Sequence, residues 1–193
     1  MGRRRVYDEH VLLSRVMDAF RRQGYRAVSV RDLEQATSVS AGSLYHAYGD
    51  KAGLFDAAFQ HYNRAVLQAR IDRYAPAEAG LDGLLELFRT LLYEPDGERF
   101  GCLITNTAIE WGGNTPHDGV RQGLAILEDT FADRLARVAA SDWTGQDIAH
   151  RATRLVALYQ GVLVLVRAGH DLPSVEKMIN AEFDELKQVT HVH

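Results

Sequence analysis

The sequence predicts an all-α protein of about nine helices, because three observations agree. Apolar residues recur at steps of three and four along most of the 193 residues, which is the period of an amphipathic helix. Short clusters of Gly, Pro, Ser, Asn and Asp separate these segments. No segment alternates apolar and polar residues in the manner of a strand series. We therefore expect an N-terminal three-helix bundle followed by a C-terminal helical bundle.

The first helix and the short second helix are predicted from apolar spacing and from end signals. The apolar positions of the first helix include Leu12, Val16 and Phe20. Gly24 ends this helix, since glycine is the residue that most often follows a helix C-terminus. Ser29 is the predicted N-cap of a helix over about 30–36, with Asp32 three residues later as in a capping box. The expected inner side of that helix consists of Val30, Leu33 and Ala36.

A third short helix is predicted over about 41–48, after a turn with the sequence "TSVS". Ser40 caps it and Gly49 ends it. Its expected inward residues are Leu44 and Ala47, and its expected outward residues are Ala41, Gly42, Ser43, Tyr45 and His46. Two short helices joined by a turn behind a longer helix are typical of a helix-turn-helix.

The remaining helices are predicted between breaks with turn chemistry. Asp50 caps a long helix that ends before "APAEAG", at 75–80. Later helices are expected at about 81–93, 101–112, 116–140, 146–169 and 173–189. The most apolar run, "LVALYQGVLVLV" at 155–166, is too short to span a bilayer.

The net charge of −4 conceals an asymmetry between the two ends of the chain. Residues 1–51 carry nine basic and six acidic residues, a balance of +3, and the remainder has a balance of −7. Such a basic segment either has an anionic partner or arises by chance. Arg3, Arg4 and Arg5 are either a basic arm that reaches such a partner or a solvated tail.

Cys102 is the only cysteine, so no intrachain disulfide can form. This composition favours a reducing, cytoplasmic location. No cofactor and no metal site are predicted, because the histidines lack metal-ligand spacing and no Gly-rich phosphate loop is present. We therefore do not expect an enzyme. The alternative is a small helical enzyme with a site built on Cys102 or on His61, His117, His150 and His170 with Glu110.

The stretch "VSVRDLEQATSVSAGSLYHAYGDKAGLFDAAF" resembles the DNA-binding domain of TetR-type (TetR/AcrR) transcriptional regulators. The resemblance is specific over about residues 8–60. It implies a DNA-binding helix-turn-helix domain over 1–51 and a regulatory domain for ligand binding and dimerisation over 52–193. This chain has Ser38 where the family usually has Gly, Ala47 where it often has an aromatic residue, and Tyr48 where it usually has Phe.

The resemblance also implies DNA contacts by position. Contacts are expected around the start of the two short helices and at the start of the long helix that follows them. The expected residues are Ser29, Arg31, Ser40, Ala41, Ser43, Tyr45, His46 and Lys51. Small residues allow close approach to a groove, and Lys51 can neutralise a phosphate. Tyr45 has an alternative role as a packing residue with a solvated hydroxyl.

The segment "RFGCLITNTAIEWGG" at 99–113 supplies candidates for a ligand pocket. Polar side chains among apolar ones are typical of small-molecule sites. The predicted pocket residues are Phe59, Tyr62, Phe88, Leu92, Cys102, Leu103, Asn106, Glu110, Trp111, Phe131, Tyr159 and Leu163. Cys102 is either a sensor thiol at a helix N-terminus or a small buried apolar residue. Asn106 and Glu110 either line the pocket or make internal hydrogen bonds.

The resemblance to TetR-type regulators, with these observations beside it, implies one function. The chain should be a homodimeric repressor that a small-molecule signal, with electrophiles and oxidants among the candidates, releases from a palindromic operator. Its expected partners are double-stranded DNA, an effector and a second copy of itself, with no membrane. The apolar helix over 146–169 is either the dimer interface or a central buried helix.

Overall fold

The computed structural model describes residues 8–93, 100–111 and 117–190, and all regular structure within them is helical. The helices are α1 Glu9–Gln23, α2 Val30–Thr37, α3 Ala41–Tyr48, α4 Lys51–His61, α5 Ala69–Tyr74, α6 Gly80–Arg89, α7 Leu103–Trp111, α8 Asp118–Ala136, α9 Gly145–Arg167 and α10 Leu172–Thr190. A π-helical segment, Tyr62–Gln68, joins α4 to α5 without a break. With that run counted once, the described chain has nine helices, and the predicted all-α class is confirmed. The proposed arm of Arg3, Arg4 and Arg5 lies outside the described residues.

The predicted N-caps of α2, α3 and α4 are present. Ser29 and Asp32 form a full capping box at α2, in which each side chain accepts from the other residue's backbone N–H. Ser40 caps α3 by accepting from the N–H of Ser43, and Asp50 caps α4 by accepting from Gly53 at 2.8 Å. These side chains satisfy N–H groups that have no partner within the helix. The sequence therefore specifies where these helices begin.

The described chain forms two compact units. The first contains the described parts of Met1–Leu67 and Cys102–Val120, and the second contains those of Gln68–Gly101 and Arg121–His193. This division follows packing, whereas the predicted boundary between residues 51 and 52 divides functions. The assignment of function to 1–51 and 52–193 therefore stays a prediction. A finding of the structure is that α7, distant in sequence, packs against α1 within the first unit.

The core of the first unit joins α1, α2, α3 and α4. Leu33 and Leu44 are fully buried, as predicted for the inward faces of the two short helices. The Phe20 and Phe55 rings meet edge to face with their centroids 4.8 Å apart. Val30 does not face inward as expected, since 37% of it is exposed. Val28, just before the Ser29 cap, is buried instead, because the chain reaches the start of α2 from the core of the unit.

The core of the second unit is centred on Phe88. Its ring lies 5.6 Å from Phe131, 5.4 Å from Tyr159 and 5.2 Å from Phe183, measured between centroids. These rings come from α6, α8, α9 and α10, so one aromatic cluster packs four helices against each other. No helix in the described parts of the chain has both the length and the apolar character needed to cross a membrane.

The turn between α2 and α3 has left-handed backbone at Ser38, with φ 59° and ψ 26°. Its N–H donates to the carbonyl of Glu34 at 2.8 Å. The adjacent Thr37 hydroxyl donates to the Leu33 carbonyl and accepts from the N–H of Val39. The turn therefore keeps the conformation that glycine adopts most readily, although serine occupies it.

Replacing Ser38 with Gly is expected to stabilise the protein by about 0.5 kcal/mol. Relief of left-handed strain at a non-glycine residue contributes about 1 kcal/mol, and the greater entropy of glycine in the unfolded chain offsets part of it. Chemical denaturation of both proteins measures the difference. Ser38→Ala is the control, because alanine keeps the strain. An equal gain in both variants would contradict this account of the turn.

Candidate nucleic-acid interface

The exposed side of α3 is the side that the sequence predicts. Gly42, Ser43 and His46 are exposed, Tyr45 is half-buried, and Leu44 between them is fully buried. The face consists of small residues at the start of the helix followed by two side chains with polar tips. A surface of this kind can approach a groove closely and offer hydrogen-bonding groups to base edges or phosphates.

The start of α3 is held by hydrogen bonds within the protein. The hydroxyls of Ser40 and Ser43 lie 3.0 Å apart, and Ser40 also accepts from the N–H of Ser43. Glu34 of α2 accepts from the N–H of Ala41 at 2.6 Å. The sequence reasoning missed Glu34, because its spacing from Ala41 acquires meaning only when the turn is folded. These bonds set the angle at which α3 leaves the turn.

At the start of α2, one side chain caps the helix and another is exposed to solvent. The Ser29 hydroxyl donates to Asp32 at 2.6 Å, and Asp32 also accepts from the Ser29 N–H. The hydroxyl bond, and then the backbone bond, hold the pKa of Asp32 below its ordinary value. The Ser29 hydroxyl is therefore already engaged in capping α2. Arg31 is exposed in the first turn of the same helix.

Lys51 lies at the first position of α4, beside Tyr25. Its ammonium nitrogen is 4.7 Å from the centroid of the Tyr25 ring, within the range of a cation–π contact. Burial, followed by the negative charges of Asp50 and Asp56, raises the pKa of Tyr25. The sequence reasoning missed Tyr25, for which the only signal was an aromatic residue directly after the helix-ending Gly24. The ring supports the lysine that was predicted to meet a phosphate.

Tyr48 joins the end of α3 to the start of α1. Its hydroxyl donates to a carboxylate oxygen of Glu9 at 3.1 Å, and the side chain is half-buried. The departure from the usual phenylalanine thus adds a hydrogen bond between α3 and α1.

The predicted pocket residues fall in both compact units. Those of the first unit are Phe59, Tyr62, Cys102, Leu103, Asn106, Glu110 and Trp111, and those of the second are Phe88, Leu92, Phe131, Tyr159 and Leu163. Cys102 is 4% exposed, and its sulfur lies 3.0 Å from the Tyr62 hydroxyl. Whether these residues line a ligand site stays a prediction.

Two of the predicted pocket residues bond to the backbone at the end of α1 and just after it. The Glu110 carboxylate accepts from the N–H groups of Tyr25 and Arg26 at 2.7 and 2.6 Å. The Asn106 amide donates to the carbonyl of Arg21 at 3.0 Å. These bonds agree with the internal role that was one of the two sequence alternatives.

The histidines proposed for an alternative enzymatic site are divided between the two compact units. His61 and His117 belong to the first unit, and His150 and His170 to the second. His117 accepts from the N–H of Gly119 through Nδ1 and contacts Asp56 through Nε2 at 2.9 Å, so it closes the start of α8. Within the described ranges, no group of three or more His, Cys, Asp or Glu residues is arranged to hold a metal ion.

His61 forms a polar contact between α4 and α1. Its Nε2 lies 2.9 Å from the Ser14 hydroxyl, and its ring meets that of His10 edge to face at 4.6 Å. Burial, and secondly the charge of His10, lower the pKa of His61 below its ordinary value of 6.5. The folded protein therefore favours the neutral imidazole.

The free energy of unfolding should fall as the pH drops below about 6.5, because the unfolded chain then takes up a proton at His61 more readily than the folded chain. The loss should continue through the depressed pKa and then level off. His61→Gln should make the curve between pH 7 and 5 shallower, as measured by denaturation at each pH. His150→Gln, at an exposed position, is the control. Identical curves for wild type and His61→Gln would contradict this assignment.

Comparison with known proteins identifies the family of this chain. Residues 12–58 match the family model described as bacterial regulatory proteins, tetR family. YezE, an uncharacterised HTH-type transcriptional regulator of Bacillus subtilis (strain 168), is 30% identical over 145 residues, covering 71% of this chain and 73% of YezE. ComR, an HTH-type transcriptional repressor of Escherichia coli (strain K12), is 28% identical over 193 residues, covering 92% of this chain and 87% of ComR.

A solved structure extends the similarity to nearly the whole chain. A cysteine mutant of the TetR family transcriptional regulator CifR, in complex with 26-base-pair operator DNA, superposes with a TM-score of 0.79 and 26% identity. The match covers 95% of this chain and 98% of CifR. The chain therefore belongs to the tetR family of bacterial regulatory proteins and is a DNA-binding transcriptional regulator with a helix-turn-helix.

Proposed function

We propose that this chain is a homodimeric repressor that binds a palindromic operator through α2 and α3 and leaves it when a small molecule binds. The observation that carries the proposal is the capped α2–turn–α3 unit with its exposed α3 face, inside the region that matches the family model. Similarity to CifR, which was solved on operator DNA, supports the same mode of binding. ComR is named a repressor, and that supports repression here.

In this proposal α3 enters the major groove of the operator. Ala41, Gly42 and Ser43 allow the backbone to approach, and Tyr45 and His46 meet base edges or phosphates. Arg31 at the start of α2 and Lys51 at the start of α4 neutralise phosphates. Ser29 and Ser40 contribute mainly by fixing the helix starts, because their hydroxyls already bond within the protein.

The proposed dimer forms through α9 and α10. Val164 is 44% exposed and Met178 is 37% exposed, so both helices present apolar side chains on their outer sides. Apart from the neighbouring backbone of α9 itself, no described atom lies within 4 Å of the position that a Cβ would take at Gly161, which leaves room for a second helix. Two copies are required to place two α3 helices on the two halves of a palindrome.

The proposed effector is a small molecule that binds reversibly. Cys102 is nearly fully buried and lies against the Tyr62 hydroxyl. Cysteines that sense oxidants or electrophiles are partly exposed in electropositive surroundings, whereas buried ones are inert. The geometry therefore favours the role of a small core residue for Cys102 over that of a sensor.

Selection of DNA from a genomic pool tests the proposal directly. The recovered fragments should share a palindrome, and the logarithm of the binding constant should fall linearly with the logarithm of salt concentration. Sedimentation with the selected duplex should give two chains per site. Recovery of unrelated fragments with no shared sequence would contradict the proposal.

Two substitutions test the assignment of the contact residues. Lys51→Ala should weaken binding to all sequences and reduce the salt slope by about 1, because one phosphate contact is lost. Tyr45→Phe should weaken operator binding by about fivefold, the value of one hydrogen bond, with little change in binding to unrelated DNA. Fluorescence anisotropy measures both.

The control is Arg73→Ala, which removes the same charge from an exposed position on α5, away from the proposed DNA contacts and the proposed dimer helices. It should leave the affinity and the salt slope close to wild type. If Lys51→Ala behaved like this control, the phosphate contact would have to be assigned elsewhere.

A further inference from the structure

The turn that follows α1 is built around a carboxylate from α7. Both oxygens of Glu110 accept backbone bonds, one from Tyr25 at 2.7 Å and one from Arg26 at 2.6 Å. One turn earlier on α7, the Asn106 amide donates to the carbonyl of Arg21 in the last turn of α1. Carboxylate bonds to N–H groups are stronger than bonds between neutral groups. Glu110, Tyr25 and Arg26 are called the Glu110 clamp below.

The shape of this turn leaves room for the carboxylate. Gly24 has φ +86°, and a Cβ at this position would lie 2.8 Å from an oxygen of Glu110. A glycine is therefore needed twice over, for the backbone conformation and for the approach of the acid. The N–H of Gly24 also closes α1 by donating to the carbonyl of Phe20 at 2.8 Å.

The clamp connects directly to residues proposed to meet DNA. The Tyr25 ring packs on Phe55 and Trp111, with centroids 5.0 and 4.7 Å away, and lies beneath the ammonium group of Lys51. Along the chain, the held turn leads through buried Val28 to the N-cap of α2. Displacement of the turn would therefore move the support of Lys51 and the entry to α2 together.

We propose that Glu110 is a positioning residue for operator binding, which holds the turn after α1 so that α2 and Lys51 keep the geometry that DNA requires. This inference rests on the proposed function. It assigns Glu110 to the DNA-binding machinery and not to the effector pocket. Loss of the clamp should lower the fraction of molecules in the binding-competent form, which weakens the apparent affinity by the same factor.

Charge and position predict opposite results for Glu110→Gln. The substitution removes a negative charge from the unit that binds DNA, and that change alone should strengthen binding. It also replaces one accepting oxygen with an amide that cannot accept, so one clamp bond is lost. A positioning role therefore predicts weaker binding, by about tenfold, in spite of the favourable change in charge.

The experiment measures operator affinity by anisotropy for wild type, Glu110→Gln, Lys51→Ala and the double variant. If the clamp acts through Lys51, the effect of Glu110→Gln should be smaller in the Lys51→Ala background than in the wild type. Amide hydrogen exchange at Tyr25 and Arg26 should become faster in Glu110→Gln. Glu128→Gln is the matched control, since it removes a carboxylate that accepts a hydrogen bond from the Thr153 hydroxyl within the second compact unit.

Glu110→Asp provides a second variant if the glutamine protein does not fold. It keeps the charge but shortens the side chain, so it should weaken binding although the net charge is unchanged. Far-ultraviolet circular dichroism at the assay temperature verifies that each variant is folded.

The outcomes separate this inference from the proposed function. Absence of operator binding by the wild type would overturn the proposed function and this inference with it. Specific binding by the wild type, with equal or tighter binding by folded Glu110→Gln, would overturn only the inference.

Discussion

The packing of Phe55 is the interaction on which the DNA-binding unit depends. Its ring is fully buried and contacts Phe20 of α1, Tyr25 after α1, Phe59 of α4 and Trp111 of α7, the last in a parallel stack at 5.4 Å. Three helices that are far apart in sequence thus share one aromatic ring. Because α4 begins only four residues before Phe55, this packing also places Lys51, the residue proposed to meet a phosphate, relative to α1.

Hydrogen bonds then fix the helices that the aromatic core holds together. Serine and acidic side chains cap α2, α3 and α4, and Glu34 ties the start of α3 to α2. Polar groups in the helix-turn-helix are therefore divided between building the motif and facing outward. Ser29 and Ser40 belong to the first group, whereas Arg31 and His46 are exposed and belong to the second. A rigid motif with an outward polar face is what sequence-selective contact with DNA requires.

Much of this division could be predicted from the sequence because it depends on local rules. Cap residues, helix-ending glycines and the burial of Leu33 and Leu44 follow from spacing and from the needs of nearby N–H groups. The prediction that Val30 faces inward was wrong. A residue in the first turn of a helix can point away from the core when the chain reaches the helix from the core side. Local rules also do not give the partners of the predicted pocket residues, which the structure divides between two compact units, since such partners come from remote segments.

The sequence by itself determined the all-α class, the helix starts and the outward face of α3, because these features depend on periodicity and on groups within a few residues. Only the tertiary structure decided that Glu110 and Asn106 bond to the backbone at the end of α1, across 84 or 85 residues of chain. It also decided that Ser38 takes the left-handed conformation usually left to glycine. Long-range partners and backbone strain depend on how helices pack, and packing is a property of the folded chain.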